Sequence, residues 1–125
     1  MKKFPSKKGL NIRIAVYVPS TQGLTRRIPS INHKRRAKEV ADAMRSLFGG
    51  TTSVNAKGSW SSNGTVARED IILVESFTKT ADWKKNANKL RLFLLKKKKE
   101  WEQESISYEW EDVSKDIPYE GMNFL

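Results

Sequence analysis

The sequence contains no cysteine, so the chain can form no disulfide and offers no thiolate as a nucleophile or metal ligand. It has one histidine, His33, which excludes a histidine-rich metal centre or a pair of histidines for acid–base catalysis. No apolar run approaches the roughly 18 residues that cross a bilayer, and the basic N-terminus lacks the apolar stretch of a secretory signal. These absences predict a cytoplasmic protein without membrane contact, and they indicate no metal ion or cofactor.

Acidic residues are scarce relative to basic ones. The chain carries 24 Lys and Arg against 14 Asp and Glu, which gives a net charge of +10. The excess is clustered in residues 1–8, in "HKRRAK" (33–38) and in "KLRLFLLKKKK" (89–99). Such an excess raises the local concentration of anionic partners, but lysine runs also serve simply to solvate exposed helices. Charge alone therefore leaves both interpretations open.

A chain of 125 residues is long enough for one domain with a buried core. We place this domain at 10–112, between a basic flexible N-terminus (1–9) and a C-terminal tail (113–125). The tail closes with apolar residues, so we expect it to pack on the domain or on a neighbouring subunit.

Two periodicities predict the first half of the domain. Strict alternation in "IRIAVYV" predicts a strand from Ile12 to Val18. From about His33 the apolar spacing becomes that of a helix, which Gly49-Gly50 ends. The buried face of this helix is predicted to carry Val40, Met44, Leu47 and Phe48.

The second half begins with a hairpin. Asn63-Gly64 is a strong type I′ turn signal, and it joins predicted strands at 51–61 and 65–77. Thr80 is suited to cap a second helix, with Trp83 and Leu90 on its buried stripe. A last strand is predicted in "SISYEW" (105–110).

The element order βαββαβ predicts an α+β, ferredoxin-like fold. Right-handed crossovers turn this order into a four-stranded antiparallel sheet with two helices on one face. The other face stays open and is predicted to carry apolar residues of the third strand, either Ile71 and Leu73 or Ile72 and Val74. Because exposed apolar faces usually find a partner, we expect a homodimer or larger assembly.

This topology carries three distant segments to the same end of the sheet. They are the exit of the first strand (18–27), the hairpin (58–70) and the end of the second helix (100–105). Ten residues of these segments form the predicted ligand-binding site: Ser20, Thr21, Arg26, Arg27, Trp60, Arg68, Glu69, Gln103, Glu104 and Ser105. None is predicted to be catalytic.

The chemistry of this set suits a small anionic ligand with a flat ring. The arginines can bind phosphate bidentately, and Trp60 can stack on a base. Hydroxyl, amide and carboxylate groups can bind sugar or base edges. Each residue also has a purely structural alternative. Trp60 can cap the core, Arg68 can pair with Glu69 or Glu104, and Gln103 to Ser105 can end the helix.

The pattern G-x-W-x-x-x-G-x-x-x-R-E, followed by W-x-Q-E-S-[IV], resembles a family of small bacterial and phage proteins of unknown function. The matching residues are Gly58, Trp60, Gly64, Arg68, Glu69, Trp101, Gln103, Glu104 and Ser105, and "LFGGTT" (47–52) resembles the family's helix-to-strand junction. The resemblance covers roughly 12–110. It implies a ferredoxin-like α+β domain and supports the predicted site, but it implies no activity.

The function that these residues favour is non-catalytic binding or sequestration of a nucleotide-like phosphorylated molecule. A phage counter-defence protein that traps a signalling nucleotide in the host cytoplasm would be one case. One alternative is sequence-independent nucleic-acid binding through the lysine-rich helices. Another is a protein–protein adaptor that uses the open sheet face. An enzyme is less favoured, because Glu69, Asp70 and Glu104 lack a metal-ligand spacing and Arg68 lies among them.

Overall fold

The computed structural model describes residues 9–114 and 119–125, without the side chains of positions 60, 62, 119, 120 and 122–124. The predicted flexible N-terminus thus lies almost wholly outside the described residues. The elements are β1 (Ile12–Pro19), β2 (Thr21–Gln22), β3 (Arg26–Arg27), α1 (Ser30–Phe48), β4 (Thr52–Ser62), β5 (Thr65–Thr78), α2 (Thr80–Glu100), β6 (Ser107–Asp112) and β7 (Tyr119–Phe124).

The main sheet has the strand order β4-β5-β1-β6-β7, and every neighbouring pair is antiparallel. Its first four members are the four predicted strands, in the order of a ferredoxin-like sheet, with α1 and α2 as the crossovers. The predicted α+β class and arrangement are confirmed. The sheet is wider than predicted, because 119–124 form a fifth strand on β6.

The core lies between this sheet and the two helices. Ile12, Ile14, Val16 and Val18 of β1 are almost fully buried, as the alternation predicted. They pack against apolar residues of both helices, which form one cluster with them. Since burial of a Leu, Ile or Val side chain contributes about 1.5–3 kcal/mol, this layer supplies most of the stability that holds the site together.

The helices begin slightly earlier than predicted. α1 starts at Ser30, and His33 is buried, with its Nε2 2.9 Å from the carbonyl oxygen of Val18. Thr80 is the first residue of α2 and Lys79 precedes it as the cap. α1 ends at Phe48, and Gly49 follows as its cap with a φ of 107°, which favours glycine. Neither described helix is both long enough and apolar enough to cross a membrane.

The open face of the sheet is divided into two halves. Register places Ile71 and Leu73 on this face, whereas Ile72 and Val74 are buried under the helices. The half over β1 and β6 is ionic. There Arg13 Nε donates to Glu75 at 2.5 Å, and Arg13 Nη1 lies 3.6 Å from Glu109 and 3.7 Å from Glu111. The apolar part of the open face is therefore limited to the area around Val54, Ile71 and Leu73.

The pairing of β7 with β6 explains why position 121 is a glycine. A Cβ at Gly121 would lie 2.7 Å from the indole Nε1 of Trp110 on the paired strand. Beyond β7, Leu125 exchanges two backbone hydrogen bonds with Ile106 and packs against the core. The end of the chain thus lies beside the segment that follows α2.

Candidate functional site

The three segments that topology was predicted to bring together are in direct contact. The backbone N–H of Ser20 donates to Glu69 Oε2 at 2.9 Å, which joins the exit of β1 to the hairpin. The backbone N–H of Gly23 donates to the carbonyl oxygen of Trp101 at 3.1 Å, which joins the same exit to the end of α2. Residues 49 and 78 positions apart therefore share one end of the sheet.

Gln103 fastens this junction from the α2 side. Its Nε2 lies 2.8 Å from the carbonyl oxygen of Thr21, 3.0 Å from that of Gly23 and 3.1 Å from that of Trp101. Because an amide nitrogen has two hydrogens, the three carbonyl oxygens share these two hydrogens. The hydrogen bonds from this nitrogen hold the loop that follows β1 against the end of α2.

Arg36 fastens the same loop from the α1 side. Its Nη1 donates to the carbonyl oxygens of Pro19 (2.9 Å) and Thr21 (2.8 Å), and its Nη2 donates to Gln22 Oε1 at 2.7 Å. The guanidinium also lies over the Trp101 ring, 4.8 Å from its centroid. Burial lowers the pKa of Arg36, and the acidic residues around it partly offset this effect. The buried arginine thus orders the exit of β1.

A cleft of about 450 Å³ opens beside this junction, on the open face of the sheet. Such a volume lies in the range of roughly 300–1,000 Å³ that is usual for small-molecule sites. The residues that line it are Tyr17, Pro19, Leu24, Gly58, Ser59, Glu69, Ile71, Gln103, Glu104, Ser105, Ile106 and Ser107.

Four of the ten predicted site residues line the cleft: Glu69, Gln103, Glu104 and Ser105. Ser20 and Thr21 lie behind its wall. Ser20 is only 6% exposed, and its Oγ has no hydrogen-bond partner within the described part of the chain. Thr21 Oγ1 donates to the carbonyl oxygen of Gly23 at 3.0 Å. Both residues therefore shape the wall.

The three predicted arginines lie elsewhere. Arg26, Arg27 and Arg68 are exposed, and Arg27 Nη1 lies 3.8 Å from Asp70 Oδ2. Side chains alternate along a strand, so Arg68 lies on the face opposite its neighbour Glu69. Among the described residues, Arg68 makes no ion pair with Glu69 or Glu104. The described lining holds two carboxylates and no cation.

Trp60 has its backbone in β4, paired with Ala67. Its side chain lies outside the described residues, so the stacking role assigned to it stays a prediction. The turn beyond it has the expected geometry, because Asn63 and Gly64 both have positive φ, 52° and 80°.

Gly58 and Tyr17 complete the walls, and sequence reasoning assigned neither to the site. A Cβ at Gly58 would lie 2.7 Å from Cδ1 of Ile71, so only glycine lets that side chain occupy the wall. The Tyr17 hydroxyl donates to Glu109 Oε1. Glycine in the middle of a predicted strand was the available signal, since it often marks a close approach.

The Tyr17 contact predicts a measurable titration. Burial and the hydrogen bond to Glu109 raise the pKa of Tyr17 to about 12. The pKa of an unfolded tyrosine is about 10, so the unfolded chain loses its proton first and stability falls as pH rises from about 10 to about 12. In an absorbance titration of tyrosinate, we expect Tyr17→Phe to remove a component near pH 12 and Glu109→Gln to shift it toward 10. An unchanged curve in Glu109→Gln would contradict this account.

The proteins similar to this chain are found among solved structures. No protein-family model matches the chain, and no curated protein matches it. A phage SAM lyase in complex with S-methyl-5'-thioadenosine is similar, with a TM-score of 0.59 and 12% identity over 98% of this chain and 95% of that chain. A phage SAM lyase in the apo state has a TM-score of 0.60 and 12% identity over 97% of each chain.

The fold is shared with these phage proteins. A third structure, CutA from Synechococcus elongatus, has a TM-score of 0.46 at 13% identity, over 93% of this chain and 78% of that chain. At an identity of 12%, the similarities to the two phage structures show a shared fold.

Proposed function

We propose that the cleft binds an adenosyl compound of the S-adenosylmethionine (SAM) class and that the protein thereby removes it from solution. The observation that carries this proposal is the pair Glu69 and Glu104, which face one cleft beside hydroxyl groups and apolar walls. The nearly full-length similarity to a SAM lyase that binds S-methyl-5'-thioadenosine supports it.

The groups of the cleft match the parts of such a ligand. SAM carries a positive sulfonium, which a negative site attracts. Ribose hydroxyl groups can donate hydrogen bonds to the carboxylate of Glu69 or Glu104. Leu24, which is 61% exposed, and Ile71 offer apolar surface for a purine ring. Trp60 stays a candidate for stacking.

The phosphorylated ligand expected from sequence depends on Arg26, Arg27 and Arg68. These arginines are exposed and lie outside the described lining. Carboxylates repel phosphate oxygens, so a nucleoside with neutral or positive substituents suits the cleft better. We therefore narrow the ligand class from nucleotides to nucleosides.

Cleavage of the bound compound is the second candidate. The similar phage proteins are lyases. Cleavage of bound SAM balances if the carboxylate of its own amino-acid chain displaces the sulfur, so that a C–O bond forms as the C–S bond breaks and the electron pair stays on sulfur. The products are then S-methyl-5'-thioadenosine and a lactone, whereas a trap leaves SAM intact. A chromatographic time course of SAM with excess protein therefore separates the two candidates.

The biological setting that fits either candidate is phage counter-defence. SAM is the methyl donor of modification enzymes, and a phage protein that lowers its level in the host cytoplasm would blunt them. The similar solved proteins come from phages, which supports this setting.

A second copy on the open sheet face is part of the proposal. Val54 is 49% exposed there, beside Ile71 and Leu73. Because the cleft lies on the same face, a second chain would border it. We expect light scattering to show an oligomer and Leu73→Glu to give monomers that stay folded. A wild-type monomer at working concentrations would refute this part.

A thermal-shift series tests ligand class. We expect SAM and S-methyl-5'-thioadenosine to raise the melting temperature by roughly 9–14 °C at 100 times the dissociation constant, which corresponds to a stabilisation of about 2.7 kcal/mol. ATP and cyclic nucleotides should have little effect. A shift with the phosphorylated compounds alone would contradict the proposed class.

Gly58→Ala should weaken binding without unfolding the protein. The new Cβ would displace the end of the Ile71 side chain, which can move at low cost. We expect an affinity loss of about tenfold, or 1.4 kcal/mol, and a small change in melting temperature. Gly50→Ala is the matched control, because nothing lies within 4 Å of its Cβ position. If Gly58→Ala and Gly50→Ala bound the ligand with equal affinity, the cleft would not be the binding site.

A further inference from the structure

Charge is segregated between the two faces of the sheet. The open face carries Glu69 and, in an ionic cluster around Arg13, Glu75, Glu109 and Glu111. The helix layer is basic. α2 carries eight Lys or Arg from Lys84 to Lys99 and no acidic residue in that interval. The basic residues of α2 therefore lie on the side of the sheet away from the cleft.

Four of these lysines form a continuous stripe, which we call the α2 stripe: Lys85, Lys89, Lys96 and Lys99. Successive members are four, seven and three residues apart, spacings that place them on one side of a helix. All four are exposed, and none has an ion pair with any described residue. Lys97 differs, since it is buried and pairs with Glu39 and Glu100.

We propose that the α2 stripe is a docking surface for the phosphate backbone of duplex nucleic acid. At about 1.5 Å per residue, the stripe spans roughly 21 Å, along which a duplex presents phosphates every 1.7 Å or so. No carboxylate of the described chain forms an ion pair with a lysine of the α2 stripe. The positive charges of the stripe are therefore available to the phosphates of a nucleic acid. This surface is independent of the cleft.

Two other occupants fit less well. A single strand would call for exposed aromatic rings on which bases stack, and the exposed large hydrophobic residues of the described chain are Leu24, Ile31, Val54, Val66 and Leu92. A membrane would call for an exposed apolar helix face, but the apolar face of α2 is buried through Trp83, Leu90 and Leu94.

The test measures affinity for a random-sequence 20-base-pair DNA duplex as a function of salt. We expect the wild-type protein to bind the duplex with an affinity that falls as salt increases. When all four stripe lysines become glutamine, the slope of log affinity against log salt concentration should fall in magnitude by about 3 to 4, since each phosphate contact contributes about 0.9. The control variant carries Lys34→Gln, Lys38→Gln, Lys57→Gln and Lys79→Gln. It has the same net charge of +6, from +10 less four, and should keep most of the slope.

Each other outcome overturns the proposal. Equal losses in the two variants would mean that net charge alone is responsible. Tighter binding to a single strand, or to vesicles of 30% phosphatidylserine, would assign the stripe to another partner, and no duplex binding at low salt would remove it. Circular dichroism of both variants verifies that α2 is intact.

Discussion

Replacing Arg36 with methionine is expected to lower the free energy of unfolding by about 3 kcal/mol. The substitution keeps the helix and the packing on Trp101 but leaves the Pro19 carbonyl oxygen and Gln22 Oε1 without their charged donor, while the Thr21 carbonyl oxygen keeps its hydrogen bond from Gln103. A buried acceptor without a partner costs about 1–3 kcal/mol. In a domain of this size the melting temperature should fall by roughly 10–15 °C, which calorimetry or circular dichroism measures.

Two controls isolate the role of this guanidinium. Arg35→Met alters the adjacent residue, which is exposed, and should leave stability within about 0.5 kcal/mol of wild type. Arg36→Lys keeps the charge but cannot reach three acceptors in the same fork geometry, so it should recover only part of the loss. If Arg36→Met were as stable as Arg35→Met, the loop would not depend on this contact.

The double variant Glu69→Gln, Glu104→Gln is expected to lower SAM affinity by about 100-fold. Glutamine can still accept the 2.9 Å hydrogen bond from Ser20, so the wall is retained while both negative charges are lost. Charged hydrogen bonds contribute about 1.5–3 kcal/mol each, and about 2.7 kcal/mol corresponds to 100-fold. S-methyl-5'-thioadenosine has no sulfonium and should lose far less.

Glu102→Gln is the matched control, because Glu102 lies in the same segment but outside the cleft lining. It should leave both affinities unchanged. Equal losses for SAM and S-methyl-5'-thioadenosine would show that the carboxylates bind ribose rather than the sulfonium. No loss for either ligand would place the ligand elsewhere.

Local patterns predicted most of the fold because each had one physical solution. Alternation from Ile12 to Val18 required a strand with one buried face, and Asn63-Gly64 required a turn with two positive φ values. Once these elements stood in βαββαβ order, crossover handedness left one arrangement. The meeting of the three segments followed from it. β7 was missed because its pairing depends on Gly121 admitting the Trp110 indole, a contact between strands.

The site was harder to predict because it depends on which face each side chain takes. Arg68 and Glu69 are adjacent on a strand, so at most one of them can face a given cleft. The register of β5 against β1 determines that Glu69, and not Arg68, lies on the face that carries the cleft. The two interpretations of the "HKRRAK" cluster, binding of anionic partners or solvation, both miss the role of Arg36, which lies three residues after His33 and four before Val40, on the buried face.

The position of a bound adenosyl compound on the protein decides directly whether the cleft is the binding site. Backbone amide chemical shifts, recorded during titration with S-methyl-5'-thioadenosine, report that position residue by residue. We expect the largest changes at Gly58, Glu69 and Ser105, with little change at Arg26, Arg27 or Arg68. Changes centred on those arginines, or none at millimolar ligand, would contradict this expectation.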